Sequence, residues 1–209
     1  MTTNVWFIDD DENERRGCVD VLREIFADTS ISVEARPPLP ALGDYATSLS
    51  REVPAALILD QRLNTSGQVV YTGAELAAHL RAIGTRVPIV ILTNYPSDDF
   101  SAQEWAVECI FEKKSTLRDP VGPPAQAFKL RLSRQVAISS SLLAAREQRF
   151  HELLIKSSRE RLSSDEENEL RQLEGERMAT VAAAERERQI RLDTDIEALK
   201  RLLGRDRLL

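Results

Sequence analysis

The sequence predicts an α/β fold, a five-stranded, parallel, doubly wound sheet over residues 1–122, followed by a long α-helical hairpin or coiled coil over 123–209. Three observations point there. Short apolar runs alternate with helix-like stretches five times within about 120 residues, the pattern of repeated βα units. The runs Ala55–Leu59 and Pro88–Leu92 are apolar without alternation, as strands buried on both faces are. Beyond Pro120-Val121-Gly122-Pro123-Pro124 no proline occurs, and apolar residues recur at helical spacing.

Val5-Trp6-Phe7-Ile8 is the first strand and ends on Asp9-Asp10-Asp11-Glu12, acids that repel one another unless a cation or a helix N-terminus lies nearby. A helix over about 13–27 follows, with Cys18, Val19, Val21, Leu22, Ile25 and Phe26 at 3–4-residue spacing. Ile31–Ala35 alternates apolar with polar and reads as a less buried strand; Pro37–Pro40 is a loop and 40–51 a weak short helix. The third strand, 55–59, runs into Asp60. Residues 61–71 make a polar connection longer than the usual 2–6 residues, before Thr72-Gly73-Ala74-Glu75 opens a helix. The fourth strand ends at Thr93-Asn94, a short helix is expected around Asp98–Ala106, and Glu108–Glu112 is the last strand, ending at Lys113-Lys114-Ser115.

In the second part, Leu132, Val136, Leu143, Phe150 and Leu154 form one helical stripe. Ser163-Ser164-Asp165-Glu166 has the form of a capping box opening a second helix, which bears Leu170, Leu173, Val181, Ile196, Leu199 and Leu203. At 1.5 Å per residue each helix spans roughly 45–60 Å, more than the sheet needs. Both stripes are thin and flanked by charge, as in a coiled coil or open hairpin.

Composition narrows the function. Net charge is −6, with 11 basic and 19 acidic side chains in 1–122 and 17 and 15 in 123–209, so neither part is a polyanion-binding surface by charge alone. Cys18 and Cys109 have no metal-ligand spacing and suit a reducing compartment. No window approaches 18 apolar residues and the first residues have no basic, cleavable leader, so a soluble, cytoplasmic protein is expected. His79 and His151 lie far apart in sequence on charged helices and read as solvated or packed residues.

Right-handed crossovers bring the ends of parallel strands to one rim. Asp9, Asp10, Asp60, Thr93 and one of Lys113 or Lys114 therefore share that rim. Three carboxylates make a hard oxygen site suited to Mg²⁺. Asp60 then has the chemistry of a nucleophile, Thr93 offers a hydroxyl to a phosphoryl oxygen, and the lysine a positive charge.

Ile8-Asp9-Asp10, Leu59-Asp60, Leu92-Thr93 and Glu112-Lys113, in that order at strand ends, resemble the response-regulator receiver domains of two-component signalling, over roughly residues 1–120. The resemblance implies a flavodoxin-like sheet and Mg²⁺ held by Asp9, Asp10 and Asp60. It also implies phosphorylation of Asp60 by a histidine kinase or phosphotransfer protein, with Thr93 and the lysine sensing that state. Lys113 is preferred because Lys114 forces Glu112 deeper into the sheet; Ile110 then stands where the family's switch aromatic usually is. No proline follows either lysine, and the loop after Asp60 lacks the family's usual proline.

The leading expectation is a Mg²⁺-dependent phosphoacceptor rather than a turnover enzyme, with at most hydrolysis of its own phosphoryl group. It controls self-association, as a homodimer, or a protein partner through residues 123–209. The long helices offer no compact DNA-reading motif, so no DNA binding is expected. A degenerate receiver serving as a constitutive scaffold is the alternative. A haloacid-dehalogenase-like phosphatase is weaker: Asp9-Asp10-Asp11 meets its D-x-D, but Asn13 stands where that family has Thr or Val.

Overall fold

The computed structural model describes residues 3–98, 100 and 102–205, the side chains at 180, 191, 195 and 197–205 excepted. Five strands form one parallel sheet: β1 (Thr3–Ile8), β2 (Ile31–Arg36), β3 (Ala56–Leu59), β4 (Ile89–Thr93) and β5 (Cys109–Glu112). Their spatial order is β2-β1-β3-β4-β5, the doubly wound flavodoxin-like order. Strand order reverses between β1 and β3, which is where such sheets open a crevice at their carboxyl ends. Asp9–Asp10 and Asp60 terminate those two strands.

The strands' apolar residues divide between two cores. Val5, Phe7, Ile58, Val90 and Leu92 face α1 (Glu12–Ile25) and the start of α5 (Pro123–Ser157). Trp6, Ile8, Leu57, Leu59, Ile89 and Ile91 face α2 (Asp44–Arg51) and α3 (Gly73–Ala82). Helix α1 buries Val19, Leu22 and Ile25, as its periodicity predicts, and Asp11 caps it by accepting from the Asn13 and Glu14 amides at 2.8 and 3.0 Å. Thr72 opens α3 with a complete capping box closed by Glu75. Gly73 has to be glycine, because a Cβ there would stand 2.1 Å from the Asp60 carbonyl oxygen. That close approach seats the start of α3 on the end of β3.

One local expectation fails between β4 and α5. The helix expected over Asp98–Ala106 is a single 3-10 turn, Glu104–Ala106. Asp98 is drawn to Arg62 and Phe100 is buried in the core, so few residues are left to form a longer helix. A short α4 (Lys113–Leu117) follows β5 directly.

Helix α5 starts with Pro123 at its first position, and Ala125, Phe128, Leu132 and Val136 bury its first four turns against the sheet. Beyond Val136 it leaves the sheet. Helix α6 (Ser164–Arg205) returns antiparallel to it, pinned by Lys156–Glu166, Arg149–Glu169 and Arg177–Glu147 at 2.7 Å each. Ser163 and Glu166 make the predicted reciprocal cap. The stripes differ from expectation: Leu153 is fully buried while Leu154 and Leu143 are 42% and 61% exposed. Val181 and Ile196 of α6 are also exposed, and among its described side chains the buried ones are Ala183 and Ala184, which meet Ala46 of α2. The side chains of Leu199 and Leu203 lie outside the described residues. Helix α6 thus lies more closely on α2 than on α5, and small side chains let two backbones approach where leucines hold them apart. No helix among the described residues is long and apolar enough to cross a membrane.

Candidate functional site

At the carboxyl rim, Asp9, Asp10, Asp60, Thr93 and Lys113 are all buried. The Lys113 ammonium lies 2.8 Å from Asp9 Oδ2 and 2.8 Å from Asp60 Oδ1, and 3.2 Å from Glu14 Oε2. It bridges the ends of β1 and β3 from the first position of α4. Lys114, one residue on, is exposed. Glu112 is exposed as well, so β5 ends with its charge in solvent and the lysine turned inward.

Each carboxylate is also held by backbone. Asp9 Oδ1 accepts from the Asp11 amide at 3.0 Å, Asp60 Oδ2 from the Arg62 amide at 2.7 Å, and Asp10 Oδ2 from the Ser66 amide. Thr93 ends β4, next to β3, and pairs in register with Glu112. Its Oγ1 accepts from the Tyr95 amide at 3.0 Å, which leaves its own proton to donate.

The charges do not balance within the pocket. Asp9, Asp10 and Asp60 stand against one buried ammonium. Burial raises the Asp9 pKa above the ordinary carboxylate value, with Lys113 opposing and Asp60 reinforcing the rise. Burial works against the Lys113 charge, yet Asp60 and Asp9 outweigh it and hold its pKa well above the usual lysine value. Asp11, at the helix cap, is lowered instead, because the Glu14 and Asn13 amides bond its charged form.

Residues outside the expected set complete the rim. Arg62 forks onto Asp98 at 2.9 and 3.1 Å and lies 3.4 Å over the Tyr95 ring, joining the loop after β3 to the loop after β4. Glu14, at the third position of α1, reaches Lys113. Its place in the first turn after a rim strand is a legible signal; nothing in the spacing marks Arg62.

No protein-family model matches the chain. No curated protein matches it. Among solved structures, the chain is similar to the response regulator protein TrrA from Thermotoga maritima in complex with Mg²⁺ and BeF, at 19% identity over 64% of this chain and 99% of that one, TM-score 0.44. A two-component response regulator of the LuxR family from Aurantimonas sp. matches at 18% identity over 82% and 97%, TM-score 0.44. The RcsB response regulator of Salmonella typhimurium matches at 14% identity over 88% and 92%, TM-score 0.45.

Among the described residues, no group of three or more His, Cys, Asp and Glu side chains is already gathered as a metal site. The ammonium spans Asp9 and Asp60, and Asp10 is engaged by the Ser66 amide. The donor chemistry nevertheless fits a hard divalent cation: all three candidate ligands are carboxylate oxygens at one rim, carrying more negative charge than one lysine neutralises.

Proposed function

We propose that the chain is a phosphoacceptor of the receiver type, with residues 1–122 and the start of α5 that packs on them as the acceptor domain, and the rest of 123–209 as its helical output. The observation that carries this is the Lys113 bridge between Asp9 and Asp60, beside Asp10 and Thr93, at the point where strand order reverses. A buried carboxylate excess with a lysine and a hydroxyl at the same rim is the equipment for binding and transferring a phosphoryl group.

In this reading Asp60 attacks phosphorus, forming an acyl–phosphate bond as the donor's bond to phosphorus breaks; a phosphohistidine donor departs as imidazole and takes up a proton. Lys113 offsets charge on the phosphoryl oxygens, and Thr93 donates its hydroxyl proton to one of them. Asp9, Asp10 and Asp60 would hold Mg²⁺, which when bound supplies charge neutralisation at the phosphoryl oxygens. The donor is a histidine kinase or phosphotransfer protein. The output is self-association or a protein partner engaged through the helices, not DNA.

The test is labelling by a small radiolabelled phosphodonor such as acetyl phosphate. Labelling is expected in Mg²⁺, lost on chelation, and lost in Asp60→Asn. Label retained on that variant refutes the assignment.

A further inference from the structure

The connection between β3 and α3 is a closed loop whose ends meet, the Gly73 amide donating to the Gln61 carbonyl at 2.9 Å and the Ala74 amide to Gln61 Oε1 at 3.1 Å. Its first half is anchored to the acidic rim, through Arg62 N on Asp60 and Ser66 N on Asp10. Its second half is anchored to α2. The Tyr71 hydroxyl donates to the Leu39 carbonyl and lies 3.3 Å from the Tyr45 hydroxyl, which accepts from the Leu39 amide at 3.1 Å. The two rings meet edge to face, buried, with centroids 6.3 Å apart. Leu63 and Val69 are buried in the same core, so the loop is pinned at both ends while residues 64–68 between them are exposed.

Tyr45 belongs to α2, and the next residue, Ala46, is the one on which Ala183 and Ala184 of α6 rest. Glu187 Oε2 lies over Gly43, 2.1 Å from where a Cβ would stand, and Ala179 lies over Gly84. Among the described residues, α6 therefore meets the sheet domain through glycines, alanines, the partly buried Ile83 and an Arg86–Glu176 ion pair. Alanine and glycine contribute little apolar area each, so a contact in which Ile83 is the one large apolar side chain named opens at modest cost.

We propose that occupation of the acidic rim is transmitted to α6 through this loop and the Tyr71–Tyr45 pair, loosening α6 from α2. It rests on the phosphoacceptor reading. The mechanism is competition: a ligand drawing on Asp60 and Asp10 takes the carboxylate oxygens that now accept from the Arg62 and Ser66 amides. The loop then loses its rim anchors while keeping its grip on Leu39 and Tyr45, and the start of α2 moves with it. Thr93 and Ile110 are not needed for this route. It supplies a path from the rim to the output helix on the α2 face of the sheet.

The experiment is hydrogen exchange on the full chain, with and without Mg²⁺ and beryllofluoride, in wild type, Tyr71→Phe and Tyr45→Phe. Each substitution keeps its ring and removes one hydroxyl. In wild type, loading changes exchange over 60–66 and speeds it over 44–51 and 176–187 by about 5-fold or more, the lower end of ordinary coupling between sites. Both variants keep the change at 60–66 and lose the response at α2 and α6. A rim response without one at α2 and α6, or variants that respond as wild type does, overturns the coupling and leaves the phosphoacceptor reading standing. No rim response in wild type overturns that reading and the coupling with it.

Discussion

Replacing Lys113 with methionine separates the ammonium's electrostatic contribution from the packing of its stem. The lysine side chain is 6% exposed and its two carboxylate partners are 2% and 10% exposed, each 2.8 Å away. Methionine retains most of the volume, so the chief loss is the charge. Breaking a buried ion pair by removing one partner costs about 3–5 kcal/mol, because the remaining charge stays buried. For a chain of this length that lowers Tm by roughly 6–20 °C. The deficit depends on pH. In wild type the Lys113 pKa is raised in the folded state, so its stabilisation is full below the ordinary lysine value and fades only as pH rises through the folded one. In the variant, burial and the Asp60 charge act on Asp9 with only the Asp11 amide opposing them, and push its pKa up further. A folded-state pKa above the unfolded one favours folding at low pH, so the deficit shrinks as the medium is acidified and Asp9 takes up a proton. Urea unfolding of both proteins at pH 7 and pH 5 measures this. A loss under about 1 kcal/mol at pH 7, or a loss equal at both values, refutes the picture of a buried bridge holding mutually repelling acids.

Phe128→Ala should cost about 3–5 kcal/mol in urea unfolding, since the ring is fully buried between Phe26 and Phe111, at centroid distances of 5.8 and 5.1 Å. A small loss would mean that α5 is not part of the sheet's core. Gly84→Ala should cost about 1–2 kcal/mol for its left-handed backbone, φ +86°, and its new Cβ would press on Ala179 at 3.0 Å. Faster exchange over the segment of α6 around Ala179 checks that second effect; unchanged exchange there argues that α6 does not rest on Gly84.

The site residues were legible because strand ends are legible. A buried parallel strand is a short, uninterrupted apolar run, and the first polar residue after it has to sit at the rim. That places Asp9, Asp60 and Thr93 without knowledge of the helices. Lys113 and Lys114 are both at a strand end, and only the turn into α4 decides which side chain points inward. Arg62 and the Ser66 amide were not legible, because their approach to Asp98 and Asp10 depends on how a long loop closes.

The helical part shows the same division more sharply. Helix existence, the Ser163 cap and the antiparallel return are written in local spacing and capping chemistry, which act over three or four residues. The burial of Leu153 rather than its neighbour Leu154, and of Ala183 and Ala184 rather than Val181, is not. Adjacent helical residues differ by about 100° in direction, so a small rotation of the whole helix exchanges which one is buried. Hydrophobic periodicity by itself determined that five strands and two long helices form and which polar residues cap the strands. The tertiary structure alone decided that α6 returns to α2, because a contact between small residues and glycines leaves little mark in a pattern read for large apolar side chains.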